Sequence, residues 1–230
     1  MSSRTGGGRS GGPADAGSPG SGDGGGVPLA IGARIRELRL RAGRSLASVA
    51  QQVGISSSAL SQIETGSMQP SVNRLVEIVS AIGFPVTALF ASHQEPPVVV
   101  EPDDGTVLEV FPGVLVTAAS RQARLGLGQG VVYRRLSPVQ IPGIDVFETY
   151  YPPGAASSVD GAMLSHAGHE VGSVIAGTLT FEFSEGAVEV SAGGSLSFPA
   201  QRPHRVVNNS LDTPGVSVWL TVRGNSLFTE

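Results

Sequence analysis

The sequence predicts a two-domain α + β chain, an all-α domain of five short helices followed by an all-β barrel or sandwich. Three observations carry this expectation. Apolar residues recur at three- and four-residue intervals between Ile31 and Phe90, as the buried face of a helix requires. Beyond a proline- and acid-rich stretch, Glu95 to Gly105, the pattern turns strand-like, with turn signals every eight to twelve residues. Between them, Leu46 to Thr65 meets the packing demands of two short helices crossing at a steep angle. The expected divisions are a disordered tail over 1–26, a helical domain over 27–91, a linker over 92–106 and a β domain over 107–230.

The tail holds eleven glycines and almost nothing apolar to bury, so it is expected to be disordered. Composition excludes several chemistries. All 15 basic residues are arginines, which removes lysine Schiff bases and lysine general bases. With no cysteine, there are no disulfides, thiolate metal sites or cysteine nucleophiles. No serine stands in a nucleophile elbow, so no hydrolase triad can be assembled. No run of eighteen apolar residues occurs and the first residues lack the charged-then-apolar order of a signal peptide, so a cytoplasmic protein without membrane contact is expected.

The net charge of −4 is unevenly spread. From Val27 to Phe90, six arginines (34, 36, 39, 41, 44 and 74) face three glutamates (37, 64 and 77), net +3. From Ala91 onward seven arginines face fourteen acids, net −7. The first domain can approach phosphate; the second should face away from it.

In the helical half, Ile31, Ile35, Leu38 and Ala42 form the first apolar stripe, with Arg34, Arg36, Arg39 and Arg41 on the other faces, and Gly43 ends it. In Leu46–Thr65 the fifth residue is Ala50, small enough for two helices to approach closely, and the ninth is Gly54, which tolerates the positive φ of a sharp turn. The five positions that point inward, Val49, Val53, Ile55, Leu60 and Ile63, are all apolar. Ser71 can cap a fourth helix with the stripe Leu75, Ile78, Val79 and Ile82, and Pro85 opens a short fifth containing Val86, Leu89 and Phe90.

These features resemble the lambda-repressor-like, or Xre-type, helix-turn-helix domain over about Ile31 to Phe90. The resemblance implies that the second helix of the pair, about Ser57 to Glu64, reads bases in the major groove. Ser57, Ser58 and Gln62 then become the expected readers, with Ser56 and Ser61 beside them. Arg34, Arg39 and Arg44 become phosphate contacts, Arg44 first among them.

The β half offers ten candidate strands: 107–111, 114–118, 131–136, 145–151, 171–175, 178–184, 187–191, 195–198, 204–208 and 216–222. Two segments within it resemble the paired motifs of the cupin barrel. In SHAGHEVGSVIAG, His166 and Glu170 stand four apart and Gly177 follows. In GGSLSFPAQRPHRVVNN, Gly193, Pro199, His204 and Asn208 fall at the family's offsets. The match covers about Pro142 to Val222.

Strand parity puts Leu164, His166 and Glu170 on one face, with Leu164 in the place of the first metal-binding histidine. His166, Glu170 and His204 remain, a set able to form a facial site for one divalent ion, Fe, Mn or Zn, or else polar residues of a ligand pocket. His169 has the wrong parity for the pocket. Tyr133, Phe147, Tyr150 and Trp219 are expected inside the barrel, Tyr150 at the pocket. Arg202 and Arg205 flank the second motif as anion-binding candidates, Arg205 at the pocket.

The two resemblances together imply a transcriptional regulator, binding double-stranded operator DNA as a homodimer and sensing an unknown small-molecule effector in the cupin domain, with no catalytic residues. The alternative is an iron-dependent oxygenase, because the same layout and two-His-one-Glu set resemble the hydroxypropylphosphonate epoxidases. Those enzymes recruit a lysine from the helical domain, and this chain has none.

Overall fold

The computed structural model of the protein describes residues 31–90 and 107–223. The expected tail (1–26) and linker (92–106) lie outside the described residues.

The helical domain comprises α1 (Ile31–Arg41), α2 (Leu46–Val53), α3 (Ser57–Glu64) and α4 (Val72–Ile82). Three serines start three of these helices. The hydroxyls of Ser45, Ser56 and Ser71 accept the backbone N–H groups of Ser48, Ala59 and Arg74, satisfying donors that have no partner within the helix. Gly54 takes φ 71° at the turn between α2 and α3. Ile35, Leu38, Val49, Leu60, Leu75, Ile78 and Val79 are sealed from solvent, while Val53 and Ile55 pack partly buried against this core. Ala42 is exposed, one residue beyond the end of α1.

The expected fifth α-helix is corrected to a 3-10 turn, Val86–Phe90. Pro85 supplies the first acceptor of this five-residue segment, whose tight spacing is seen in the bond from the Ala88 N–H to the Pro85 carbonyl, 3.0 Å. The described domain therefore has four α-helices.

The β domain contains β1 (Leu108–Phe111), β2 (Val114–Val116), β3 (Arg124–Gly126), β4 (Val132–Arg135), β5 (Ile144–Tyr151), β6 (His169–Ala176), β7 (Thr178–Phe183), β8 (Gly186–Ser191), β9 (Ser195–Pro199), β10 (His204–Val207) and β11 (Gly215–Val222). A six-stranded antiparallel sheet of order β3-β4-β5-β11-β6-β9 faces a three-stranded one of order β10-β7-β8, and β1 pairs with β2. Aromatic contacts join the two main sheets. Phe181 of β7 meets Trp219 of β11 at 5.7 Å between ring centroids, and Phe183 meets Phe198 of β9 at 5.0 Å. All ten expected strands are present with ends within two residues. The three-residue β3 is additional, too short to show an alternation.

The helical domain is seated on the mouth of the barrel. Asn73, at the start of α4, donates its backbone N–H to the Ser157 carbonyl (3.0 Å) and its side-chain amide to the Ala162 carbonyl (2.7 Å). Gly128 donates to the Pro70 carbonyl at 2.9 Å. The Thr87 hydroxyl donates to Asp145 of β5 at 2.5 Å, and the Arg135 guanidinium lies 5.9 Å from the centroid of the Phe90 ring. Buried polar groups made to meet in this way cost free energy when separated, so the junction holds one arrangement.

Candidate functional site

On α3, Ser57, Ser58 and Gln62 are exposed and Ser61 is half-buried, while Leu60, Ile63 and Glu64 turn inward. Ser56 spends its hydroxyl as an acceptor in the cap at the start of the helix.

The arginines divide differently from the sequence expectation, and Arg39 is corrected as a phosphate contact. Arg39 is buried, and its Nε and Nη2 donate to the two carboxylate oxygens of buried Glu64 at 2.6 and 2.8 Å. Its Nη1 donates to the Arg44 carbonyl, so all three nitrogens of this buried guanidinium are engaged in tying α1 to the end of α3. Arg34 donates to the Ala88 carbonyl and to Glu37. Arg44 is half-exposed and anchored, with Nη1 on the Ala81 carbonyl and Nη2 on Gln52. Arg36 and Arg41 remain at the surface, Arg41 with its guanidinium 5.7 Å from the Phe84 ring centroid. No hydrogen bond or ion pair among the described residues engages Arg36.

In the barrel, His166, Glu170 and His204 converge. One potential ligand atom from each lies within 4.8 Å of the others. The route differs from simple strand parity, because β6 starts only at His169 and His166 precedes it. Gly168, at φ 114°, redirects the chain between them; a Cβ there would stand 2.6 Å from the Val222 carbonyl oxygen, so glycine is required on both counts. Leu164 is joined to His204 by a backbone bridge and lines the cavity with an apolar side chain.

The Nδ1 atoms of His166 and His204 lie 3.1 and 2.8 Å from the carbonyls of Ala167 and Arg202. With the ring protons held there, both Nε2 atoms face Glu170, at 2.9 and 3.7 Å from its oxygens. Two neutral imidazoles and a carboxylate so oriented fit one divalent ion with open positions.

The two imidazoles are pushed apart in pKa. Burial works against the His166 cation, yet the hydrogen bond and charge of Glu170 outweigh it and raise the group above its ordinary value. Burial lowers His204, which the charge of Glu170 only partly offsets. Without metal, the stability contributed by His166 is therefore present below about pH 6.5 and lost as pH rises through its raised value. His204 acts in the opposite sense, losing stability as pH falls below that ordinary value.

A metal here would have to displace the His166 proton, so any retained Mn or Zn should be greatest at alkaline pH and fall on acidification. His204→Ala should remove most of it. Equal metal content in Glu170→Gln and the unaltered chain, measured by elemental analysis after dialysis, would show that these residues are not the ligands.

The cavity at this cluster measures about 50 Å³, with Tyr133, Phe147, Tyr151 and Trp219 in its walls. Two pocket expectations are corrected. In β5 the inward residues are Asp145, Thr149 and Tyr151, so Tyr150 points outward and is 39% exposed, whereas its neighbour Tyr151 lines the cavity. In β10, His204 and Val206 face inward; Arg205 points the other way and pairs with Glu182 at 2.9 Å. Arg202 pairs at the surface with Glu185.

Sequence reasoning missed Val72, Asn73, Val76 and Val86 of the helical domain, and Arg223 at the end of β11, all of which line the cavity. Nothing in the helical pattern announces that α4 would close the barrel, since its barrel-facing valines are apolar like its inward residues and Asn73, in the first turn, reads as an ordinary polar helix start.

Residues 30–90 match the helix-turn-helix domain family and residues 147–221 the cupin domain family. The chain joins a helix-turn-helix domain to a C-terminal cupin domain, the layout of an HTH-type transcriptional regulator with a cupin domain. It is similar to the HTH-type transcriptional regulator PuuR of Escherichia coli (strain K12), 27% identical over 186 residues that span 79% of this chain and 89% of that protein. The PuuR protein of Shigella flexneri matches to the same extent, 27% identity over 79% of this chain and 89% of that one. In fold it is similar to an HTH_3 family transcriptional regulator from Vibrio cholerae, with 21% identity, a TM-score of 0.57, and coverage of 85% of this chain and 96% of the other. No helix among the described residues is long and apolar enough to cross a membrane.

Proposed function

We propose that the protein is a cytoplasmic one-component regulator that binds operator DNA as a homodimer through α3 and responds to a small molecule held in the cupin cavity. The observation that carries this reading is the exposed polar edge of α3. Ser57, Ser58 and Gln62 stand free of the core while Val49, Val53, Ile55, Leu60 and Ile63 are turned inward or packed against it. Glutamine reads adenine bidentately and serine hydroxyls adapt to several bases, so specificity should be modest per site. One such helix covers only a half-site, which is the argument for a second copy.

Gln62→Ala should lose ~1–3 kcal/mol of discrimination at one base position, whereas Arg36→Ala should weaken binding to all sequences and reduce the salt slope by about one. Anisotropy titrations on fragments of the host genome, run at several salt concentrations, separate the two effects. No protein-dependent binding at low salt would end the regulator reading.

The His166, Glu170 and His204 set also supports a second reading, an iron-dependent oxygenase of the hydroxypropylphosphonate epoxidase type. Stoichiometric iron with substrate-dependent oxygen uptake, and no DNA binding, is the result expected of it.

A further inference from the structure

Beside the small cavity at the histidines lies a larger cleft of about 340 Å³ between the two domains. The two share four residues, Val76 and Val86 from the helical domain and His166 and Arg223 from the barrel. An organic molecule that fills both spaces touches both domains.

The chemistry of the cleft is one-sided. Its helical wall is largely apolar, with Val76, Phe84, Pro85 and Val86, and the one permanently charged residue lining it is Arg223. Arg223 uses Nη2 to hold Asp145 at 2.5 Å; no hydrogen bond or ion pair among the described residues engages its Nε or Nη1. A guanidinium with two donors in hand, partly neutralised by one carboxylate, suits a monoanion better than a dianion. Asp145 itself is 2% exposed, and its other oxygen accepts the Thr87 hydroxyl of the helical domain. The ion pair at the cleft is thus continued by a buried bond across the domain junction.

We propose that this composite site binds a small organic carboxylate, its charged end on Arg223 and its apolar tail against Val76, Phe84 and Val86, and that occupancy is passed to the helix-turn-helix through Asp145 and Thr87. A carboxylate on Arg223 competes with Asp145 for the guanidinium, and any change in Asp145 is felt at once by Thr87. The signalling half rests on the regulator reading above; the binding half does not. Coupling of this kind is reciprocal, so DNA must alter carboxylate affinity by the same factor that carboxylate alters DNA affinity.

Trp219 is the only tryptophan of the chain and lines the inner cavity, whose wall includes Arg223, so a ligand seated on Arg223 is read through its emission. Titration of the full chain with hexanoate should shift that emission saturably, with hexylamine and hexan-1-ol about tenfold weaker or worse. Arg223→Gln should lose about the same factor and Arg223→Lys should recover part of it, which guards against a variant that merely misfolds. Hexylamine binding as well as hexanoate, no shift with either, or full hexanoate affinity in Arg223→Gln would each overturn the site.

Thr87 lines neither cavity, so Thr87→Val should still bind hexanoate saturably while losing the effect of hexanoate on binding to a DNA fragment selected by the intact protein. Hexanoate binding that leaves DNA affinity of the unaltered chain unchanged overturns the signalling. Failure to bind any DNA instead removes the regulator reading, and the fluorescence titration still decides the site.

Discussion

Arg39→Ala should cost about 3–5 kcal/mol of stability, the largest single loss expected of any charged residue in the helical domain. Both partners of the Arg39–Glu64 pair are buried, and the bond is bidentate. Removing the guanidinium leaves a carboxylate without water or counter-charge and also frees the Arg44 carbonyl. The pair itself is a different matter, because two charges taken out of water repay little of their desolvation. Arg39→Met combined with Glu64→Leu should therefore recover most of the loss. Urea denaturation of the single and double variants gives the comparison. If Arg39→Ala unfolds within about 0.5 kcal/mol of the parent, the burial described for this pair is wrong and the residue returns to the surface as a phosphate contact. Glu64 is the penultimate residue of the described helix-turn-helix, so the same variant should also depress DNA binding by loosening α3.

That residue shows where the sequence was legible and where it was not. Apolar spacing located α1 to α4 and ten strands because burial on one face leaves a periodic trace. Arg39, four residues after Ile35, borders the apolar stripe while Arg36 lies away from it, but it is the approach of Glu64, 25 residues on, that makes Arg39 a buried guanidinium. The cupin cluster was legible from motif spacing, although the His166–Glu170 juxtaposition depends on the turn at Gly168 rather than on strand alternation. Tyr150 was misplaced by one residue of parity: Asp145, an acid on the inward face of β5, breaks the apolar pattern that would have fixed the register. The inward Asp145 is satisfied there by Thr87 and Arg223. The closure of the barrel by α4 left little trace, because Val72 and Val76 face the other domain and are apolar for the same reason as residues that face the core, and buried Asn73 stands in the first turn, where a polar residue is unremarkable.

Gly32→Ala gives the second large effect, and its sign is decisive. Gly32 lies in the first turn of α1 and is buried against the end of α3. On helix propensity alone, alanine at an interior helical position is favoured over glycine by about 1 kcal/mol. A Cβ at this position, however, would collide with the Ile63 carbonyl oxygen and come within 2.7 Å of the Glu64 carbonyl oxygen. Those atoms are backbone and cannot rotate aside, so α1 must move away from α3. Overpacking of this kind costs ~1–3 kcal/mol, and the displacement also strains the Arg39–Glu64 bond at the same junction. The net change should be a loss of stability, accompanied by weaker DNA binding at temperatures where the variant remains folded, because α3 is the element displaced. The loss should be smaller in the Arg39→Met, Glu64→Leu background, since neighbouring changes that share one contact are not additive. A gain in stability on Gly32→Ala would mean that α1 and α3 do not approach as closely as described, and the explanation of the buried ion pair would fall with it.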